Sequence, residues 1–195
     1  MQKNQHWASL NLSLLCASLL ILSTPTLAEK TTQTQGDFHL SLYKDSQGQL
    51  DDLELFTKVP DKDVYLGLTC SHMSPFPMLE VLLFNDEVLM DSPRLLTVSY
   101  QIDGKQSATA VALQGILKPT DTADEYSNKV RLELDSGQVK TMGGMQVAYQ
   151  TLLAQLKAGT SLDIALKHKG FGEKQYSFSL QGLNELLSPN EFICR

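Results

Sequence analysis

The sequence lacks an excess of basic residues. Its 195 residues include 16 Lys and Arg against 22 Asp and Glu, which gives a formal net charge of −6. Nucleic-acid binding requires clustered Lys and Arg side chains that neutralise phosphates, and no such cluster occurs along the chain. We therefore predict that the protein does not bind nucleic acid.

The sequence is also poor in the residues of common catalytic motifs. It contains 3 cysteines, and no two of them have the two-residue separation of thiol redox sites. The segment Cys70-Ser71-His72 is the only place where a thiol lies beside a histidine. No Gly-x-Ser-x-Gly segment, the nucleophile turn of many serine hydrolases, is present. We find no candidate catalytic residue and predict that the protein is not an enzyme.

One long apolar run occurs, at the N-terminus. Lys3 precedes a leucine-rich stretch over residues 10–22, and Thr26-Leu27-Ala28 has the small residues of a cleavage site. This pattern predicts a signal peptide over residues 1–28. The alternatives are a membrane anchor, for which the run is short and interrupted by polar residues, and a lipid anchor on Cys16. No second apolar run exists, so we predict a periplasmic or secreted protein without a membrane span after cleavage.

Two cysteines lie beyond the export segment, Cys70 and Cys194. An oxidising compartment favours a disulfide between them. In a simple loop model, closing a loop of about 125 residues removes roughly 5 kcal/mol of unfolded-chain entropy. We predict this disulfide as the main covalent feature of the fold.

Apolar residues beyond the leader alternate with period two, the pattern of β-strands. The clearest row is Val64, Leu66, Leu68 and Cys70, which places Cys70 on a buried face. Residues 29–36 show no periodicity and predict a flexible leader, and residues 119–128 predict a loop. Asp103-Gly104 predicts a tight hairpin turn before a returning strand over about 107–113.

The period changes after Gly143-Gly144. The spacing of Met145, Tyr149, Leu152, Leu153 and Leu156 predicts an amphipathic helix that ends at Gly159. Strands then resume on either side of residues 170–172, and a short helix follows over 182–187. About nine strands with these two helices predict a single mainly β domain over residues 37–195, built as an antiparallel β-sandwich.

Several ligand sites are conceivable but weakly indicated. His72 lies close in sequence to Met73 and Met78, whose thioether sulfurs are soft ligands suited to Cu(I), although Met78 fits ordinary strand packing. The acidic residues Asp121, Asp124 and Glu125 lack the spacing of a calcium loop. Tyrosines such as Tyr65 and Tyr176 could line a sugar or peptide groove, but sheet packing explains them more simply. We therefore predict no metal and no cofactor.

An ordered set of features over residues 64–194 resembles a known family. A strand ending in cysteine is followed by the hairpin Tyr100-Gln101-Ile102-Asp103-Gly104, a helix with paired leucines and a strand pair. The closing block is Phe178-Ser179-Leu180-Gln181-Gly182-Leu183, with Cys194 about a dozen residues further on. In this order the features resemble the periplasmic type VI secretion-associated proteins. The resemblance implies an exported β-sandwich with a disulfide and an accessory, non-catalytic role.

These observations predict a cell-envelope accessory protein that acts by binding or assembly, with another envelope protein as its partner. Loops on a rigid scaffold are frequent recognition sites. We therefore predict docking on exposed strand edges or on a recognition loop that contains His72, Met73, Phe76 and Met78. The alternative function is an envelope hydrolase or a copper-binding protein.

Overall fold

The computed structural model describes residues 29–106, 111–122, 125–135, 137 and 139–194. The predicted signal peptide lies outside the described residues. Ten strands and two helices are present, together with 3₁₀ segments at Asn85–Glu87 and Ser188–Cys194. The strands are β1 (Glu29–Gln35), β2 (Phe38–Lys44), β3 (Leu50–Lys58), β4 (Val64–Ser71), β5 (Met78–Phe84), β6 (Arg94–Ile102), β7 (Leu113–Thr122), β8 (Glu125–Leu134), β9 (Ser161–His168) and β10 (Gly172–Ser179). The helices are α1 (Met142–Ala158) and α2 (Leu183–Leu187).

All ten strands belong to one antiparallel sheet, in the order β1-β2-β3-β4-β5-β8-β7-β6-β9-β10. The mainly β prediction is confirmed, but a sandwich of two sheets is not. The pairing of β5 with β8 joins the first five strands to β6, β7 and β8. The pairing of β6 with β9 adds β9 and β10 to the same sheet. The sheet curls, and β10 reaches β3 of the opposite half. Its concave inner face holds the core.

The strands form where apolar residues alternate with polar ones. In β4, Val64, Leu66, Leu68 and Cys70 are buried on the inner face, and the residues between them are half-exposed. The predicted helix α1 is confirmed and packs its buried side chains Tyr149, Leu152, Leu153 and Leu156 into the same core. Thr141 caps its start by accepting a hydrogen bond from the Gly144 N–H at 3.1 Å, and Gly159 caps its end.

Two segments differ from their predictions. Residues 29–35 form β1, which pairs with β2 along its whole length, instead of a flexible leader. Every residue of β1 is exposed, so burial imposes no alternation on its sequence. The loop predicted at 119–128 is instead the end of β7 and the start of β8, held by backbone pairing such as that of Pro119 with Asn128.

The predicted Asp103-Gly104 turn is confirmed. The two residues have φ angles of 53° and 67°, as a tight turn of this kind requires. The strand described after this turn is β7, which begins at Leu113, and residues 107–110 of the predicted returning strand lie outside the described part of the chain. The Asp103 carboxylate accepts hydrogen bonds from the Thr160 hydroxyl and N–H at 2.7 and 2.8 Å and from the Ser161 N–H at 2.9 Å. These bonds hold the pKa of Asp103 below its usual value.

Side chains tie the β10 end of the sheet to its first half. The buried Tyr176 hydroxyl donates to the Glu87 carboxylate at 3.0 Å, and Lys62 donates to the same carboxylate at 3.0 Å. Burial opposes ionisation of Glu87, but these hydrogen bonds outweigh it and lower its pKa. Gly182, with φ 93°, lies where a Cβ would be 1.7 Å from the Gln35 carbonyl oxygen, so this close approach requires glycine.

The predicted disulfide joins Cys70 to Cys194 with a Cα–Cα distance of 4.9 Å and a sequence separation of 124. Cys70 is 1% exposed and Cys194 is 5% exposed. The bond therefore attaches the C-terminal 3₁₀ segment to the inner face of β4, beside the core.

Candidate functional site

A large recess lies on the outer face of the sheet, opposite the core. Alternation along β3, β4 and β5 sends every second side chain to this face, and neighbouring strands bring these side chains side by side. We call the recess the outer groove and define it by Phe56, Tyr65, Gly67, Glu80, Leu82 and Phe84. Its volume of about 560 Å³ lies within the range of small-molecule pockets.

Gly67 forms the floor of the outer groove. It is paired with Phe56 on one side and with Glu80 on the other. A Cβ built on Gly67 would have no neighbour closer than 4.0 Å, and the residue does not have a positive φ angle. Neither packing nor backbone conformation therefore requires glycine here. Its absent side chain leaves the space that makes the groove.

Aromatic rings form one wall of the outer groove. Phe56 stacks on His39 at a centroid distance of 4.9 Å and meets the edge of Tyr65 at 6.3 Å. Tyr65 and Phe84 are nearly perpendicular, at 89° and 5.8 Å. Because rings in such contacts hold one another in place, the wall is ordered. Phe56 nevertheless remains 37% exposed, a large apolar surface in water.

The charges around the outer groove are mostly paired. Lys129 lies 3.1 Å from Glu80, and Lys58 lies 2.9 Å from Asp63. The hydrogen bond from Lys58 lowers the pKa of Asp63, and the same bond raises the pKa of Lys58. Glu54 accepts a hydrogen bond of 2.7 Å from the neutral Tyr43 hydroxyl, and it forms no ion pair with the described residues. The lining is therefore mainly apolar, with paired charges around it and one carboxylate, Glu54, that has no ion-pair partner among the described residues.

The predicted recognition loop does not form one site. His72 and Met73 line a second cavity of about 450 Å³ together with Phe192 of the C-terminal segment, and His72 contacts Asp51. Phe76 stacks on Tyr149 of α1 at 5.2 Å, which gives it a packing role. Met78 lies on the outer face and lines the outer groove. The structure thus divides these four side chains among a cavity, the core and the groove.

The described residues offer little for metal or acid-base chemistry. No group of three or more His, Cys, Asp or Glu side chains is arranged to hold a metal ion among them. Glu54 and Glu80 both line the outer groove, but they stand on β3 and β5 with β4 between them, about 10 Å apart across the sheet. Of the predicted acidic residues, Asp124 and the side chains of Asp121 and Glu125 lie outside the described part of the chain.

Sequence reasoning missed the outer groove, although one signal for it was present. Leu82 and Phe84 make β5 apolar on both faces, which is typical of a strand in the middle of a sheet. The structure confirms the central position of β5. The outer side chains are covered by no second layer of the described chain, and so they line an open groove.

The comparisons with known proteins found no matching family model, curated protein or solved structure. In the described part of the chain, no helix is both long enough and apolar enough to cross a membrane.

Proposed function

We propose that the protein is an exported accessory protein of the cell envelope that binds a partner through the outer groove and catalyses no reaction. The observation that carries this proposal is the open floor at Gly67. A side chain at this position would fit without strain, and glycine weakens the interior of a strand by roughly 0.5–1 kcal/mol relative to alanine. The fold therefore tolerates a less stable strand and gains a recess with an apolar wall.

The occupant that fits best is a single apolar side chain of a partner protein, followed closely by a basic residue. The perpendicular rings of Tyr65 and Phe84 and the side chain of Leu82 provide contact area for an aromatic or aliphatic anchor. The uncompensated carboxylate of Glu54 at the edge favours a cation next to that anchor. Lys58 and Lys129 are paired with carboxylates and do not oppose this arrangement.

We also propose that the protein is exported and acts in a secretion system. The apolar run at the N-terminus and the disulfide are compatible with an oxidising compartment. The resemblance to periplasmic type VI secretion-associated proteins supports an assembly role there, with another envelope protein as the partner.

A tryptophan peptide provides a direct test. The only tryptophan of the chain is Trp7, inside the predicted signal peptide, so the exported protein lets a peptide tryptophan be excited selectively. An acetylated Gly-Trp-Gly-Lys-Gly amide should show saturable binding, with a blue-shifted emission. Gly67→Leu fills the groove and should weaken binding at least about tenfold, the equivalent of roughly 1.4 kcal/mol.

Gly143→Leu is the matched control, because a Cβ at Gly143 meets nothing within 4 Å, much as a Cβ at Gly67 meets nothing closer than 4.0 Å, and Gly143 lies on α1, away from the groove. It should bind like the wild type. Glu54→Gln should weaken the lysine peptide and leave its Gly-Trp-Gly-Gly-Gly analogue unchanged. Absence of saturable binding to the wild-type protein, or equal binding to Gly67→Leu, would contradict the proposal.

A further inference from the structure

A second interaction surface, independent of the outer groove, lies at the edge of the sheet. β1 is the first strand in the sheet order and pairs on one side only, with β2. Its seven residues pair without a register shift, so the strand is regular over its whole length. The backbone donors and acceptors on its other side are therefore a template for one more strand.

α2 contacts β1, and Gly182 lies against Gln35, but every residue of β1 remains exposed. The other usual protections of an edge strand are weak in β1. The segment Glu-Lys-Thr-Thr-Gln-Thr-Gln has no proline and no bulge. Its two charged side chains turn towards β2, because Glu29 lies 3.7 Å from Lys44 and the Lys30 ammonium lies 5.1 Å from the ring of Tyr43. The remaining residues are Thr and Gln, and Thr has a high propensity for strands. Little in β1 opposes the addition of a strand.

We infer that β1 pairs antiparallel with β1 of a second copy of this chain, which joins two sheets across a two-fold axis. A foreign strand would be selected by pockets for alternate side chains, but all seven side chains of β1 are exposed and polar and form no pocket. Self-pairing requires only a self-complementary edge. The opposite edge strand, β10, contacts β3 of its own molecule, so the pairing stops at two copies.

A pairing register centred on Thr32 makes the edge of β1 self-complementary. It places Thr32 opposite Thr32 of the second copy, Thr31 opposite Gln33 and Lys30 opposite Thr34. The two remaining positions pair Glu29 with Gln35. No like charges lie opposite one another, and threonine pairs across strands are favourable. Lys30, Thr32 and Thr34 share the outer face, since their partners on β2 include the outer residues Tyr43 and His39.

The test introduces a positive or a negative charge at Thr32. The oligomeric state of the exported, disulfide-bonded protein is then measured by sedimentation velocity. The wild type should form a concentration-dependent dimer and no larger species. Thr32→Lys and Thr32→Glu should each weaken the dimer at least about tenfold, because like charges directly opposite on paired strands repel. An equal mixture of the two variants should restore a mixed dimer. Ser99→Lys, a lysine at an exposed residue of β6 that lies opposite Ala165, should leave the dimer unchanged.

Circular dichroism and the midpoint of thermal unfolding should confirm that each variant folds, because Thr32 is exposed. A wild-type protein that remains monomeric at all concentrations would overturn the inference. So would a dimer that Thr32→Lys leaves intact, or species that grow beyond two copies. Each of these results is independent of peptide binding to the outer groove, so the two proposals can fail separately.

Discussion

The two faces of β4 differ in burial and in packing. On the inner face, Leu66 and Leu68 are 3% and 4% exposed and touch a continuous apolar core. On the outer face, Tyr65 and Thr69 are half-exposed and flank Gly67, where a side chain is missing without any conformational reason. The inner face thus carries the stability of the sheet, and the outer face retains unburied apolar surface. This difference implies that substitutions on the two faces should have separable effects.

The largest loss of stability should come from removing the Cys70–Cys194 disulfide on the inner face. Replacing Cys70 and Cys194 together with alanine should lower the free energy of unfolding by about 2–5 kcal/mol, because the unfolded chain gains freedom when a long loop opens. Urea denaturation of the variant and of the disulfide-bonded wild type measures this loss. A variant as stable as the wild type would show that the C-terminal segment adds little to the inner face.

A paired substitution on β4 compares the faces directly. Leu66→Ala should lower the free energy of unfolding by about 2–5 kcal/mol, since it leaves a cavity in the core. Tyr65→Ala, one residue away, should cost clearly less and should weaken binding of the tryptophan peptide. Denaturation and peptide titration of both variants check the two effects. Equal losses of stability would contradict the division between the faces.

A smaller effect of opposite sign is expected at Gly67. Gly67→Ala should raise the free energy of unfolding by about 0.5–1 kcal/mol, because alanine restricts the unfolded chain more than glycine does and fits here without a close contact. The matched measurement is Gly115→Ala. Its Cβ would lie 3.0–3.1 Å from the Val98, Leu96 and Val130 side chains, so no gain is expected there. A destabilised Gly67→Ala would mean that the groove floor has a structural role.

The smallest effect concerns the ion pair at the groove edge. The hydrogen bond from Lys58 lowers the pKa of Asp63 from its usual value of 3.8. Asp63 therefore contributes stability above that value, and this contribution is lost as the pH falls through its lower pKa in the folded protein. Asp63→Asn should make the fall in stability between about pH 5 and 2 slightly less steep, and added salt should reduce the difference. Identical pH profiles for both proteins would show that the pair adds nothing.

Features driven by burial could be predicted from the sequence. The alternation ending at Cys70 predicts β4, its buried face and the disulfide, and the three- and four-residue spacing from Met145 to Leu156 predicts α1. Strands that are not buried on one face show no alternation of apolar and polar residues in the sequence. β1 is exposed on both faces, and the ends of β7 and β8 are joined by backbone pairing, which leaves no mark on side-chain spacing.

The candidate site could not be predicted from the sequence, because it depends on the register in which the strands pair. Phe56, Gly67 and Glu80 are distant in sequence and become neighbours only because β3, β4 and β5 pair in one particular alignment. The structure does not bring the side chains of the recognition loop predicted around His72 together. They point to different places, and Phe76 is taken up by its contact with Tyr149.

The most direct test of the outer groove is a nitrogen-proton NMR titration of the wild-type protein with the tryptophan peptide. We expect the largest shift changes on the Gly67 amide and on its outer-face neighbours Phe56, Tyr65 and Leu82. Changes confined to residues 71–76 and Phe192 would place the binding site in the second cavity and would contradict binding in the outer groove.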